Sequence, residues 1–241
     1  MSYTGRIVIG TRDCDMYGHW KPSAILEAMQ ETAIAHCASI DLGRSVTDGL
    51  GVFWVLSRCG VELTRLPAYG EEIAIETFAM PIKHLFFPRA HIFYGQDGAV
   101  IGGAQSLWML MEASTRRAVK QPYVAERMPI EDRPVPAAPP RTVRLPEGPV
   151  QAGSVNPQFV EFDMNGHVNN VKYLDWCWNA LGFEALKGRS LRRFDINYDR
   201  EILPGEAVET ALHLEDGGFS FTGQSDGRRC FGVSGELRTD R

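Results

Sequence analysis

The 241-residue sequence has few cysteines and no long apolar run. Its five cysteines are odd in number and widely spread, and none forms a CxxC pair, so a disulfide scaffold and a zinc finger are both disfavoured. No window approaches the roughly 18 apolar residues that a membrane-spanning helix needs. The first residues show no secretory or transit pattern. Together these absences predict a cytoplasmic protein without a membrane span.

The sequence also lacks an excess of positive charge. Lys and Arg number 25 against 30 Asp and Glu, which gives a formal net charge of −5 and disfavours general binding to nucleic acid or anionic lipid. Neither GxGxxG nor GxxxxGK[ST] occurs, so a Rossmann or P-loop nucleotide site is not expected. No metal or redox cofactor is indicated. With 44% hydrophobic and 23% charged residues, the composition is that of an ordinary globular protein.

The chain contains an internal repeat. The segment DCDMYGHWKPSAIL (13–26) aligns without gaps with EFDMNGHVNNVKYL (161–174), and later matches follow in the same order. Half of the 14 prolines lie in about twenty residues between the copies, which is typical of an extended connector. We therefore predict an N-terminal domain at 1–133, a linker at 134–149 and a C-terminal domain at 150–241.

Each copy shows the same order of predicted elements. A short β-like segment, at 6–11 and at 155–162, leads into the DxxGH turn, and a helical pattern follows. About four strand-like runs come last, the first of them at 52–63 in the first copy. Pro22 suits the first position of the first helix, while Gly43 and Gly182 are expected to stop the two helices. One helix wrapped by a curved antiparallel sheet, with the two sheets joined edge to edge, is the most economical packing. The fold class predicted is α+β.

The second copy carries DMNGHVNNVKYLDW at 163–176, which resembles the catalytic signature of the acyl-acyl carrier protein thioesterases, the bacterial relatives of the plant fatty-acyl chain-terminating enzymes. The runs ILEAMQETAIAHC, FWVLSRCGVEL and LPAYGEEIAIET are similar to the first half of that family. The resemblance spans nearly the whole chain. It implies a double hotdog fold and hydrolysis of a fatty acyl thioester on acyl carrier protein.

The resemblance also implies the catalytic residues, which fall on Asp163, Asn165, His167 and Glu201. Plant members often follow the glutamate with a cysteine, whereas this chain has Ile202, and this difference favours attack by an activated water. An imidazole titrates near neutral pH and suits a general base.

Roles for the neighbouring groups follow from the same chemistry. The glutamate would orient or share the proton, and the asparagine would hold the water or the carbonyl oxygen. Asp163 is expected to fix the turn. Because Gly166 and Val168 flank His167 just before the expected helix, their N–H groups are predicted to face a developing oxyanion.

The first copy lacks two of the four groups. It places Tyr17 where Asn165 stands, and the Leu-Pro alignment sets Thr64 opposite Glu201. We therefore expect one working site, in the second half. The family assigns chain-length selection to the first half, which makes Met29, Trp54 and Leu56 predicted walls of an acyl pocket.

Two other functions stay open at this point: hydrolysis of an acyl-coenzyme A, and a catalytically silent acyl-binding module. A partner carrier protein is acidic, so its docking patch should be basic. The first choice is Lys187, Arg189, Arg192 and Arg193, and the second is Arg116, Arg117 and Lys120. Whether two chains associate as a homodimer is left open.

Overall fold

The computed structural model describes residues 1–145, 148, 150–215 and 217–240. The helices there are α1 (Pro22–Ser39), α2 (Arg44–Gly49), α3 (Pro122–Arg127) and α4 (Lys172–Leu186). The strands of the first half are β1 (Tyr3–Val8), β2 (Val52–Leu63), β3 (Glu72–Ala79), β4 (Phe86–Tyr94), β5 (Val100–Glu112) and β6 (Ala118–Val119). Those of the second half are β7 (Gln151–Val155), β8 (Arg189–Tyr198), β9 (Val208–Glu215), β10 (Gly218–Ser225) and β11 (Arg228–Thr239).

The strands form one antiparallel sheet with two mirrored halves. Their order is β1-β3-β4-β5-β2-β8-β11-β10-β9-β7, with β6 added beside β5. Strands β2 and β8 join the halves through pairs such as Cys59 with Ile196 and Val61 with Phe194. This arrangement confirms the predicted α+β architecture, in which each of the two long helices is wrapped by its own half of the sheet. The pairing of β2 with β8 leaves neither strand as an exposed edge.

The long helix α1 begins where the sequence indicates. Pro22 occupies its first turn, where a missing N–H costs nothing. Ile25 and Met29 lie in the core, whereas Ile34 on the other face is 59% exposed. Burying a side chain of this size contributes about 1.5–3 kcal/mol, so the sheet holds the helix by its apolar face. Helices α1 and α4 also contact each other.

Two local predictions are wrong. Helix α4 starts at Lys172, several residues after the DxxGH turn, because Val168 still pairs with Phe162 in a short β-bridge. Gly182 does interrupt the helix as predicted: its φ of 71° is non-helical, and a short second helical segment follows it to Leu186. The lead strand of the second copy is β7, which ends at Val155, where the predicted run begins.

The proline-rich connector runs along β8. Residues 131–145 contain no helix or strand, and their backbone is held by side chains of the sheet. Arg141 N–H donates to Asp195 Oδ1 at 2.8 Å, and Val143 N–H donates to Asn197 Oδ1 at 2.9 Å. Pro146, Glu147 and Pro149 of the predicted linker lie outside the described residues. The domain boundaries remain predictions, since both halves share one sheet.

Among the helices of the described residues, none has the length and apolar character required to cross a membrane.

Candidate active site

A tight turn presents the DxxGH residues of the second half. Asp163 N–H donates to His167 O at 2.9 Å, and Gly166 N–H donates to Asp163 O at 3.0 Å. Gly166 has a φ of 82°, the left-handed conformation that glycine adopts without strain. The Asp163 Oδ1 atom accepts a hydrogen bond from the backbone N–H of Asn165 at 2.8 Å. The Oδ2 atom lies 3.4 Å from Nδ2 of the Asn165 side chain. Asp163 therefore shapes the turn and orients Asn165.

His167 lies between two carboxylates. Its Nδ1 is 3.6 Å from Asp163 Oδ2 and 3.3 Å from Val168 O, and its Nε2 is 4.0 Å from Glu201 Oε1. Because the groups around Nδ1 are hydrogen-bond acceptors, that nitrogen is favoured to carry the proton in the neutral ring. The lone pair of Nε2 then faces Glu201. This is the orientation that a general base requires.

Glu201 follows β8 and is held from the other half of the chain. Its carboxylate forms an ion pair with Arg116, which stands at a left-handed position in the turn between β5 and β6. The Arg116 guanidinium also lies over the Phe53 ring, 5.1 Å from its centroid. The side chains of Arg116 and Glu201 are 52% and 33% exposed, so the pair stands at the protein surface.

A cavity of about 680 Å³ connects these residues with the first half of the chain. Its lining from the second half includes Asp163, Asn165, His167, Val168, Tyr173 and Glu201. The first half supplies Gln30, Cys37, Trp54, Leu56, Arg89 and Arg116, among others. The volume lies within the usual range of small-molecule pockets. The four family-derived catalytic residues thus share one cavity, whose remaining wall comes from the other half and contains both apolar and polar side chains.

Two expectations about substrate contacts fail on geometry. Gly166 and Val168 do not offer free N–H groups, because they donate to Asp163 O and Ile202 O at 3.0 Å each. The helix N-terminus lies farther along, at Lys172. Met29 packs in the core, is 2% exposed and is absent from the described lining of the cavity, whereas Trp54 and Leu56 are part of it. The Asn165 side-chain amide, which lines the cavity, is one group of the turn that can polarise a carbonyl oxygen.

The corresponding turn of the first half has a different environment. His19 Nδ1 is 3.8 Å from Asp15 Oδ2, and its Nε2 is 3.4 Å from the carboxylate of Asp240 near the chain end. Tyr17 donates its hydroxyl hydrogen to Phe183 O at 3.2 Å. None of these five residues belongs to the described lining of the cavity. The imidazole of the first half is therefore separated from the cavity.

The structural equivalent of Glu201 differs from the one the alignment predicts. Thr64 and Arg65 N–H both donate to Ile101 O, and Asp199 and Arg200 N–H both donate to Cys230 O. Arg65 is therefore the structural equivalent of Arg200. Arg65 donates to Glu71, just as Arg200 donates to Glu206. Glu201 consequently corresponds to Leu66 rather than to Thr64. The reason is that the loop after Leu66-Pro67 is two residues longer than its counterpart. The first half still lacks the carboxylate.

Two arginines of the preferred basic cluster are bound to carboxylates, whereas its Lys187 is exposed. Arg193 is buried and bonded to Asp195 and Glu62, and Arg192 pairs with Glu236 at 2.5 Å. The second choice fits better, because Arg116 lines the cavity and Arg117 and Lys120 are exposed in the same hairpin. The contact between Arg116 and Glu201 joins residues 85 positions apart, so nothing in the local sequence indicates it.

Comparisons with known proteins identify the family of the chain. The family model described as the acyl-ACP thioesterase N-terminal domain matches residues 1–125, and the one described as the C-terminal domain matches residues 150–230. The chloroplastic acyl-(acyl-carrier-protein) hydrolase FATB3 of Cuphea viscosissima is 25% identical over 212 residues, covering 79% of this chain and 50% of that protein. The chain spans about half the length of the curated plant relatives it matches first.

Solved structures show the same fold. An acyl-ACP thioesterase from Bacteroides thetaiotaomicron superposes with a TM-score of 0.91 at 21% identity, covering 98% of both chains. The 12:0-ACP thioesterase from Umbellularia californica gives a TM-score of 0.87 at 19% identity, covering 99% of this chain and 98% of that one. These likenesses establish the double hotdog architecture.

Proposed function

Because the chain belongs to the acyl-ACP thioesterase family, we propose that it hydrolyses the thioester of a fatty acyl group on acyl carrier protein, releasing free fatty acid and carrier. The observation that carries this proposal is the convergence of Asn165, His167 and Glu201 on one cavity whose remaining wall comes from the other half. A silent acyl-binding module would not need a base, an amide and a carboxylate together.

The imidazole acts as the base in this proposal. His167 Nε2 takes a proton from water, the water oxygen bonds to the acyl carbon, and the negative charge moves to the carbonyl oxygen. The Asn165 amide donates to that oxygen. When the tetrahedral intermediate collapses, the carbon–sulfur bond breaks and the proton passes from His167 to the carrier thiolate. Asp163 keeps the ring in the orientation that leaves Nε2 free.

Glu201 acts on the water rather than directly on the imidazole. Its Oε1 is 4.0 Å from His167 Nε2, which is longer than a direct hydrogen bond. A water molecule about 2.8 Å from both atoms fits between them and donates one hydrogen bond to each. His167 Nε2 then removes one of its protons while the Glu201 carboxylate holds the other hydrogen. Attack by water, rather than by a carboxylate on the acyl carbon, remains the mechanism we propose.

The carrier is proposed to dock beside the opening of the cavity. We define the docking hairpin as Arg116 and Arg117, which lie between β5 and β6, together with Lys120, which directly follows β6; all three are exposed. Arg116 belongs both to this hairpin and to the cavity lining, so a carrier bound there delivers its acyl chain past Glu201. An acidic partner gains on-rate and specificity from such a patch. A cytoplasmic location is part of the same proposal.

The test compares purified protein on acyl-acyl carrier protein and acyl-coenzyme A with chains of eight to eighteen carbons. We expect a higher kcat/KM on the carrier protein, and loss of most turnover in Glu201→Gln while the protein stays folded by circular dichroism. A higher kcat/KM on acyl-coenzyme A would identify the protein as an acyl-coenzyme A thioesterase instead. Binding of acyl-carrier protein without turnover by the wild-type protein would identify a silent module instead.

A further inference from the structure

A buried polar cluster stands in the cavity wall of the first half, outside the catalytic residues. We define the Arg89 cluster as Arg89 on β4, His36 and Cys37 on α1, and Thr77 on β3. The Arg89 guanidinium lies 2.9 Å from His36 Nδ1, donates to Thr77 Oγ1 at 3.2 Å and lies 3.5 Å from Cys37 Sγ. Arg89 itself is 6% exposed. Because its guanidinium can only donate, His36 Nδ1 must accept, and His36 is neutral.

Among the described residues, the charge of Arg89 has no acidic partner. Within the described residues, no carboxylate oxygen lies within 4.0 Å of its guanidinium. The other buried arginine, Arg193, shows the usual solution, because it bonds to both Asp195 and Glu62. A buried charge without a partner is costly to keep. The last turn of α1 supplies only partial negative charge to Arg89, and burial lowers the pKa of the guanidinium.

The neighbouring wall also offers unused donors. Arg89, Gln30 and Trp54 all line the cavity that reaches His167. Gln30 Nε2 and Trp54 Nε1 are buried and have no hydrogen-bond partner in the described part of the structure. A wall made for a plain hydrocarbon chain needs neither a cation nor such donors, because hydrocarbon gives them nothing to bind. A ligand with an acceptor oxygen would satisfy them.

We infer that the acyl chain accepted by this cavity carries an oxygen-bearing group, a carboxylate or a hydroxyl, well beyond the thioester, and that Arg89 binds that group. This inference rests on the proposed function, since it concerns the far end of the same acyl chain. A carboxylate on the acyl chain matches the positive charge of Arg89 best, because it would form an ion pair with the guanidinium. The hydroxyl shares the acceptor chemistry without the charge.

Selectivity is measured as kcat/KM on acyl-acyl carrier proteins of matched length, from eight to eighteen carbons, that end in a methyl, a hydroxyl or a carboxylate. The wild-type protein should prefer one oxygen-bearing series by about tenfold or more at its best length, which corresponds to about 1.4 kcal/mol. Arg89→Met should reduce that preference to below about twofold, and Arg89→Lys should keep part of it. Arg12→Met, at an exposed arginine outside the described lining of the cavity, is the control and should keep the preference.

A binding measurement separates this inference from the proposed function. His167→Ala is titrated by calorimetry with dicarboxylic, hydroxylated and plain fatty acids of equal length, with and without Arg89→Met. Tighter binding of an oxygen-bearing acid that depends on Arg89 supports the inference even if no thioester is hydrolysed. Hydrolysis of plain acyl chains with equal or better efficiency, and no effect of Arg89→Met on selectivity or binding, overturns the inference and leaves the proposed function intact.

Discussion

Arg116 and Glu201 come from different halves of the chain and meet as an ion pair at the opening of the cavity. The pair places the carboxylate beside His167 and connects the docking hairpin with the catalytic residues. Arg116→Gln should lower kcat by about threefold to tenfold, because Glu201 loses the contact that fixes its position. The melting temperature should change little, since a half-exposed ion pair contributes about 0–1 kcal/mol. Steady-state kinetics check this with Arg12→Gln, an exposed arginine outside the described cavity lining, as the control. An unchanged kcat would show that Arg116 does not position Glu201.

The docking hairpin makes a second prediction. Charge reversal by Arg117→Glu or Lys120→Glu should raise KM for acyl-acyl carrier protein about tenfold and leave KM for acyl-coenzyme A within about twofold, because rim charges steer a charged partner. The effect should shrink as salt rises. Lys187→Glu belongs to the other basic cluster and serves as the control. If Lys187→Glu alone impaired the carrier substrate, docking would have to move to that side of the protein.

The two buried arginines make a third prediction, about stability. Arg193→Met leaves Asp195 buried without its partner and should cost about 3–5 kcal/mol. Arg89→Met leaves no carboxylate behind and should be nearly neutral, or stabilising, in the absence of ligand. Urea unfolding at pH 7.5 measures both variants. Equal destabilisation by the two substitutions would indicate that Arg89 is a structural residue.

The buried histidines of the first half make a fourth prediction, about pH. Burial, reinforced by Arg89, lowers the pKa of His36 to about 4 and that of His91 to about 3, from the ordinary 6.5. Both rings are thus neutral in the folded protein and take up protons on unfolding below pH 6.5. The free energy of unfolding should fall as pH drops from 6.5 toward 5, by up to about 1.4 kcal/mol per pH unit for each ring.

Urea midpoints at pH 7.5, 6.5 and 5.0 measure this fall. His91→Gln should flatten the slope by about one proton, whereas His84→Gln, on an exposed loop residue, should not. The ordinary pKa values of aspartate and glutamate side chains, about 3.9 and 4.3, lie below this window, so the two histidines are expected to dominate the slope. A free energy of unfolding that stayed constant between pH 6.5 and 5.0 would contradict the neutral state of the two rings.

The fold is readable from the sequence wherever burial imposes a pattern. Strand β2 has the predicted bounds of Val52 and Leu63, because its apolar residues face a core on a strand that is central in the sheet. Strand β7 lies before the predicted run, because it is a short, exposed edge strand whose residues show no alternation of buried and exposed positions. The start of α4 was missed because a β-bridge at Val168, formed with Phe162, delays the helix.

The candidate site shows the same division. His167, Asn165 and Asp163 lie within five residues of each other, so a motif can indicate them. Arg116 and Arg89 enter the cavity only through sheet pairing and the packing of one half on the other, which a single sequence does not reveal. One sequence pattern does point to Arg89 and His91. They lie two positions apart in an otherwise apolar strand, β4, so their side chains share one face of the sheet.

The most direct measurement of the central claim compares His167→Ala with His19→Ala, the equivalent histidines of the two halves, in hydrolysis of acyl-acyl carrier protein. His167→Ala should lose about a hundredfold or more in kcat, as expected for a general base, with an unchanged circular dichroism spectrum. His19→Ala should stay within about twofold of the wild-type protein, because its ring lies outside the cavity. Full activity in His167→Ala, or an equal loss in His19→Ala, would contradict a single catalytic site in the second half.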